Sequence, residues 1–245
     1  MLRARYYGEL TFIDDCLGRV LDAVEARHDA DDTVICFFAD HGDHLGDHRA
    51  WQKESFFEAS CHVPFLLSWP AGGIARGERR DELVSLIDLF GIATGAAGDT
   101  DLRDGADVLG ILRGTAAPRE RLFGLYGALG TPRFKVMVRE SRWKYIFLAN
   151  GGRELLFDVR ADPQELRQLA ASQPDVALRL RAAAAAYLAG PAGEGALDVD
   201  GDLRAWPFEA RPLRRIYQFD RSRGVTGFPD NPAAGLQQYR AAQRC

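Results

Sequence analysis

The sequence predicts an α/β fold: part of a mainly parallel sheet flanked by helices, followed by a smaller C-terminal antiparallel sheet with a helix. Three observations predict it. A helix with one apolar face leads into a continuous β-branched and aromatic run. A second such run and a second apolar helix follow after a loop. From Arg121 onward the pattern changes to short runs separated by turns.

Leu10, Ile13, Leu17, Val20, Leu21 and Val24 recur at steps of three and four, which places one apolar face on a helix from about Tyr7 to Arg27. That face needs a cover. The turn-rich His28–Asp32 then leads into Thr33–Ala39, an unbroken apolar run of the kind buried on both faces of a sheet. A second strand is expected at Val63–Trp69, closed by Pro70 and Gly72-Gly73, and an apolar helix from Leu83 to Ala97. Beyond it, Arg121–Tyr126, Phe134–Val138, Arg142–Phe147 and Glu154–Phe157 suit an antiparallel sheet, with Asn150-Gly151-Gly152 as the tight turn of its last hairpin. Asp162-Pro163 with Glu165 reads as the capped start of a short helix. An alanine-rich helix is expected from Asp175 to Leu188, followed by a Gly/Pro linker. The tail beyond it carries Trp206, Phe208, Tyr217, Phe219 and Phe228 without clear periodicity. The expected division is therefore 1–118, 119–190 and 191–245.

Composition sets limits. At 245 residues and 47% apolar content the chain can bury one sizeable core, or a core plus a subdomain. A net charge of -4 with 31 basic and 35 acidic residues intermixed argues against a nucleic-acid partner or a membrane surface. No segment has signal-peptide or membrane-span character, so the chain as written reads as soluble and cytosolic. Cys16, Cys36, Cys61 and Cys245 show neither a CxxC pair nor regular spacing, and reduced thiols are expected.

Four of the five histidines fall between His41 and His62, in and after Asp40-His-Gly-Asp-His-Leu-Gly-Asp-His48. This segment follows the first buried strand, at the strand end where α/β proteins build sites. An adjacent carboxylate and imidazole can offer oxygen and nitrogen ligands to a divalent cation. Taken alone, the pair also suits a strand-end turn with a capping Asp and a surface His. His44 and His48 have the spacing of a helical zinc pair, but Gly46 between them weakens any helix. Asp14 and Asp15 read as solvated helix positions, and Glu58 as an internal ion-pair partner.

Asp40-His41-Gly42, Leu45-Gly46-Asp47-His48, Trp51-Gln52-Lys53, Phe57-Glu58 and Val63-Pro64 together resemble the second metal-site segment of bacterial sulfatases of the alkaline phosphatase superfamily. Ile13-Asp14-Asp15 with Gly18–Leu21 resembles the preceding helix of that family, and Trp143-Lys144-Tyr145, Leu156–Asp158 and Asp162-Pro163 its C-terminal hairpin. The resemblance runs from about Tyr6 to Ala170. It implies the second half of an alkaline-phosphatase-like sheet. It also implies a calcium or manganese ion held partly by Asp40 and His41, with Lys53 binding a sulfate oxygen and stabilising transition-state charge. His41, where many animal sulfatases have Asn, is closer to the choline-sulfatase and phosphonate-monoester-hydrolase branches.

The family's nucleophile is a formylglycine made from an upstream Cys- or Ser-x-Pro-x-Arg, and this chain contains no such motif. The resemblance therefore implies a C-terminal portion, inactive alone, whose substrate is a small sulfate ester. A phosphonate monoester or phosphodiester hydrolase and a non-catalytic remnant used for interaction stay open as alternatives. A homo-oligomer is compatible with either.

Overall fold

The computed structural model describes residues 2–190 and 193–210. Residues 1–208 cluster as one unit and 209–245 as another, and only the first is described below. Tyr217, Phe219 and Phe228 lie outside the described residues.

Helix α1 spans Leu2–Glu25, starting earlier than its periodicity indicates. Its apolar positions are largely uncovered: Tyr7, Leu10, Phe12, Ile13 and Val20 are all exposed. Strand β1 (Ile35–Phe38) pairs with β2 (Phe65–Ser68) in a two-stranded sheet. The pair is antiparallel, with Ile35 opposite Ser68 and Phe38 opposite Phe65, where parallel neighbours were expected. A parallel pair needs a crossover, usually a helix of some length. The connection here holds only a 3-10 turn at Asp47–Arg49 and the four-residue α2 (Glu58–Cys61).

Helix α3 covers Asp88–Ala96 rather than starting at Leu83. The Asp88 carboxylate accepts from the amides of Ser85 (2.7 Å) and Ala106 (2.8 Å) and pairs with Arg119, so residues 83–87 are held as a turn in front of the helix. A six-residue helix, α4 (Val108–Arg113), was not expected. Its signals are present in the sequence: Asp107 accepts from Gly110 at 2.8 Å as the cap, and Gly114 closes it in the left-handed region.

The C-terminal sheet matches its sequence expectation closely. Strands β3 (Leu122–Tyr126), β4 (Lys135–Arg139), β5 (Trp143–Leu148) and β6 (Arg153–Asp158) form an antiparallel sheet in simple order. The Asn150–Gly152 turn joins the last two, with both glycines at positive φ. Alternation assigns two faces. Val136, Val138, Tyr145, Phe147 and Leu156 pack against Ala177, Leu180, Ala184 and Leu188 of α5 (Pro174–Leu188). Each such fully buried aliphatic side chain contributes about 1.5–3 kcal/mol. Met137, Ile146 and Phe157 point the other way and meet Phe56 and Phe57. Residues 196–206 fold back on the first face, burying Ala196 and Leu203 and seating Trp206 beside Ala149.

The short helix expected after Asp162-Pro163 does not form; the segment is a turn. Asp162 accepts from the Arg167 amide at 2.7 Å instead of capping an inner turn. Glu165 sits at φ 56, outside helical conformation, with its carboxylate drawn inward to Lys144. A buried ion pair has overridden the local capping signal. Among the described residues, no helix is long and apolar enough to cross a membrane.

Candidate functional site

β1 ends at Phe38, and the chain then turns through Asp40-His41-Gly42 at the carboxyl end of the strand. Gly42 lies so close to α2 that an added Cβ would stand 2.1 Å from the Ala59 carbonyl oxygen, and its amide donates to the Ser60 carbonyl at 2.7 Å. Close approach, more than turning freedom, is what this glycine supplies. The following loop is fastened at several points. His44 N donates to Gln52 O (2.9 Å), Gly46 N to Ala50 O (2.9 Å) and Arg3 to Leu45 O (2.6 Å). Leu45, His48, Arg49 and Gln52 all have positive φ, a concentration of strained backbone that only surrounding contacts can hold.

Asp40, His41 and Lys53 come together. The Asp40 carboxylate accepts from the His41 amide at 2.9 Å, and its second oxygen lies 3.3 Å from His41 Nε2. His41 Nδ1 is 2.9 Å from the Gly42 carbonyl oxygen, which can only accept. Nδ1 therefore carries the proton, and Nε2 presents its lone pair outward. The Lys53 ammonium meets Nε2. Lys53 is pinned through its carbonyl, which accepts from the Ser60 hydroxyl and from the Ser55 amide at 2.7 Å, while its side chain is exposed.

These donors suit a divalent cation as two of its ligands: a carboxylate oxygen and an imidazole nitrogen whose tautomer is fixed by a backbone carbonyl. Two ligands fall short of the six or more oxygens typical of calcium. Among the described residues no group of three or more His, Cys, Asp or Glu is arranged to hold a metal.

His44 and His48 do not form a metal pair. His44 is buried and donates to or accepts from Ser55 Oγ at 2.7 Å, while its Nδ1 has no partner. Burial and the neighbouring His48 hold its pKa below the ordinary value. His48 stacks on Phe57 with ring centroids 3.9 Å apart. Both rings belong to the wedge that holds the loop against the C-terminal sheet.

That wedge contains residues that the spacing did not single out. Lys144, 1% exposed, lies 2.5 Å from Glu58 and 2.7 Å from Glu165. Glu58 also binds His62 at 2.7 Å, and its amide donates to Glu165 at 2.6 Å. The expectation that Glu58 is an internal ion-pair partner agrees with this arrangement. Burial pushes the Glu58 pKa up, but His62 and Lys144 outweigh it and hold it at about 2, against an ordinary 4.5. Burial opposes the Lys144 charge, yet Cys61, Glu165 and Glu58 together raise its pKa. The period-two alternation of β5 sends Tyr145 into the core, and so it sends Lys144 toward α2. A lysine inside a buried strand was the sequence signal for this network. Beside it, Asp47, His48, Glu58, Ala59, Glu165 and Leu166 line a cleft of about 340 Å³, from which Asp40, His41 and Lys53 are absent.

With this geometry in hand, comparison with known proteins is decisive. Residues 2–98 match the sulfatase family model. A choline-sulfatase from Rhizobium meliloti (strain 1021) is 32% identical over 216 residues, 85% of this chain and 38% of that protein. The chain is thus similar to sulfatases. Arylsulfatase K of Danio rerio is 33% identical over 184 residues, covering 71% of this chain and 35% of its own length. Among solved structures, a 2-O GAG sulfatase matches with a TM-score of 0.65 at 25% identity, over 72% of this chain and 40% of that one. The phosphonate monoester hydrolase of Agrobacterium radiobacter matches with a TM-score of 0.63 at 30% identity, over 74% and 39%. The chain spans 38% and 35% of the lengths of these two curated relatives. The neighbours share its mixed α/β architecture, and the family generally uses a divalent metal.

Proposed function

We propose that this chain carries the part of a sulfate-ester hydrolase site in which Asp40 and His41 hold a divalent cation and Lys53 binds the sulfate. One observation carries the reading: the carboxylate of Asp40, the lone pair of His41 Nε2 and the ammonium of Lys53 converge at the end of β1. When bound, a calcium or manganese ion would supply Lewis-acid polarisation of the sulfate oxygens. The chain's own residues perform the positioning. Gly42 and Ser60 clamp the ligand turn to α2, and Nδ1–H of His41 donates to the Gly42 carbonyl so that Nε2 faces outward. Lys53 places a positive charge where negative charge grows on the ester's non-bridging oxygens.

The sequence contains no Cys- or Ser-x-Pro-x-Arg, so formylglycine chemistry is assigned to no residue here, and the chain by itself is expected not to turn over an aryl sulfate. A phosphonate monoester substrate is the second reading, favoured by the 30% identity to the Agrobacterium radiobacter phosphonate monoester hydrolase.

Calorimetric titration of the chain with calcium or manganese tests the assignment. Weak saturable binding, abolished by Asp40→Asn, is the expected result. Equal binding by the wild type and the variant would remove Asp40 from the site. Chemical-shift perturbation at Lys53 by inorganic sulfate against methylphosphonate, with metal present, separates the two substrate readings: the reading whose anion perturbs Lys53 at the lower concentration stands.

A further inference from the structure

Lys53 and a metal ion need the same atom. His41 Nδ1 is committed to the Gly42 carbonyl at 2.9 Å, so the ring has one lone pair left, on Nε2. A cation held by Asp40 and His41 must take that lone pair, and the Lys53 ammonium, which can only donate, is already on it. Asp40 Oδ2 stands 3.3 Å from the same nitrogen, and two electron-rich atoms so close repel each other unless positive charge lies beside them. The two ends of Lys53 differ in freedom. Its carbonyl is bonded to the Ser60 hydroxyl and the Ser55 amide, whereas its four-carbon stem is exposed and can swing about that fixed point.

We infer that Lys53 is a stand-in cation: in the metal-free chain its ammonium occupies the lone pair of His41 and keeps the Asp40–His41 pair in register, and an arriving divalent cation displaces it. Displacement hands the ammonium to the anion side of the site, so metal binding and oxyanion binding are positively coupled, each raising the affinity for the other by the same factor. The inference rests on the assignment of Asp40 and His41 as metal ligands, and it adds an order of events: metal first, then a free lysine, then the anion.

Manganese alone is the probe, with free aqua-manganese followed by electron paramagnetic resonance and the His41 ring nitrogens followed by 15N NMR. Lys53→Met removes the competitor, so it should bind manganese roughly fivefold more tightly than the wild type, the factor expected from losing one exposed charged hydrogen bond. Without metal, the Nε2 resonance should move in Lys53→Met to the position of a lone pair with no donor. Arg49→Met removes a like charge from the same loop and should leave both readouts nearly unchanged. Unchanged or weaker manganese binding in Lys53→Met overturns the inference, as does an equal gain in Arg49→Met, which would mean general charge repulsion. Failure of the underlying assignment has a different signature: wild type and Asp40→Asn would be alike toward manganese, whatever Lys53→Met does, and the inference would fall with it.

Discussion

Lys144→Met removes the one cation among the described residues that touches both Glu58 and Glu165 at 2.7 Å or less. Methionine is close to the lysine stem in volume, so the change is chiefly electrostatic. Glu58 retains His62 at 2.7 Å and Arg139 at 4.0 Å, but among the described residues Glu165 keeps only the Glu58 amide at 2.6 Å. Glu165 is 3% exposed. Stranding a buried charge in this way costs about 3–5 kcal/mol, which for a chain of this size lowers Tm by roughly 6–20 °C. Urea unfolding followed by tryptophan fluorescence gives the value directly. The double variant Lys144→Met with Glu165→Leu removes the stranded carboxylate too, so it should recover part of the loss. A loss below about 1 kcal/mol in Lys144→Met, or a double variant as unstable as the sum of its parts, would refute the claim that this pair ties the site segment to the C-terminal sheet.

The remaining expectations concern the turn, acid stability and the open face of α1. Gly42→Ala sets a Cβ 2.1 Å from the Ala59 carbonyl, a backbone atom that cannot swing away; it should cost about 1–3 kcal/mol in urea unfolding and weaken manganese binding together. The Glu58 pKa is held at about 2 in the folded chain against 4.5. This stabilisation, roughly 3 kcal/mol, is full above pH 4.5 and disappears as the pH falls toward 2; Glu58→Gln should flatten that limb of the stability profile. His62 is shifted upward by its bond to Glu58, so its smaller share is present at acid pH and lost as the pH rises through its folded-state pKa. Tyr7, Leu10, Ile13 and Val20 leave an apolar stripe in water, so sedimentation should show self-association that Leu10→Lys with Ile13→Glu suppresses.

Much of this was legible in the sequence because local chemistry decided it. The alternation in Phe134–Val138 and Arg142–Phe147, with the Asn150–Gly152 turn, was enough to foresee the sheet that now packs on α5. The apolar face of α1 was legible from its three- and four-residue spacing, but that it stays uncovered was not, because spacing shows a face and not its partner. Asp40, His41 and Lys53 were named through the family resemblance, and the short loop that joins them brings the three side chains together. What was not legible depended on contacts between distant residues. Glu165 looks like a helix-capping glutamate until Lys144, 21 positions earlier, claims it. Asp88 looks like an ordinary residue within a helix until Arg119 and the Ala106 amide hold it at the start. The antiparallel pairing of β1 and β2 was hidden for a related reason: two buried apolar runs read alike in either direction.

The most direct test of the site is an anomalous-difference map from crystals of the chain soaked in manganese. A peak in contact with Asp40 Oδ2 and His41 Nε2, with Lys53 turned away from the imidazole, is the predicted result. A peak elsewhere, for instance at the acidic turn formed by Asp198, Asp200 and Asp202, with Lys53 still on His41, would contradict the account.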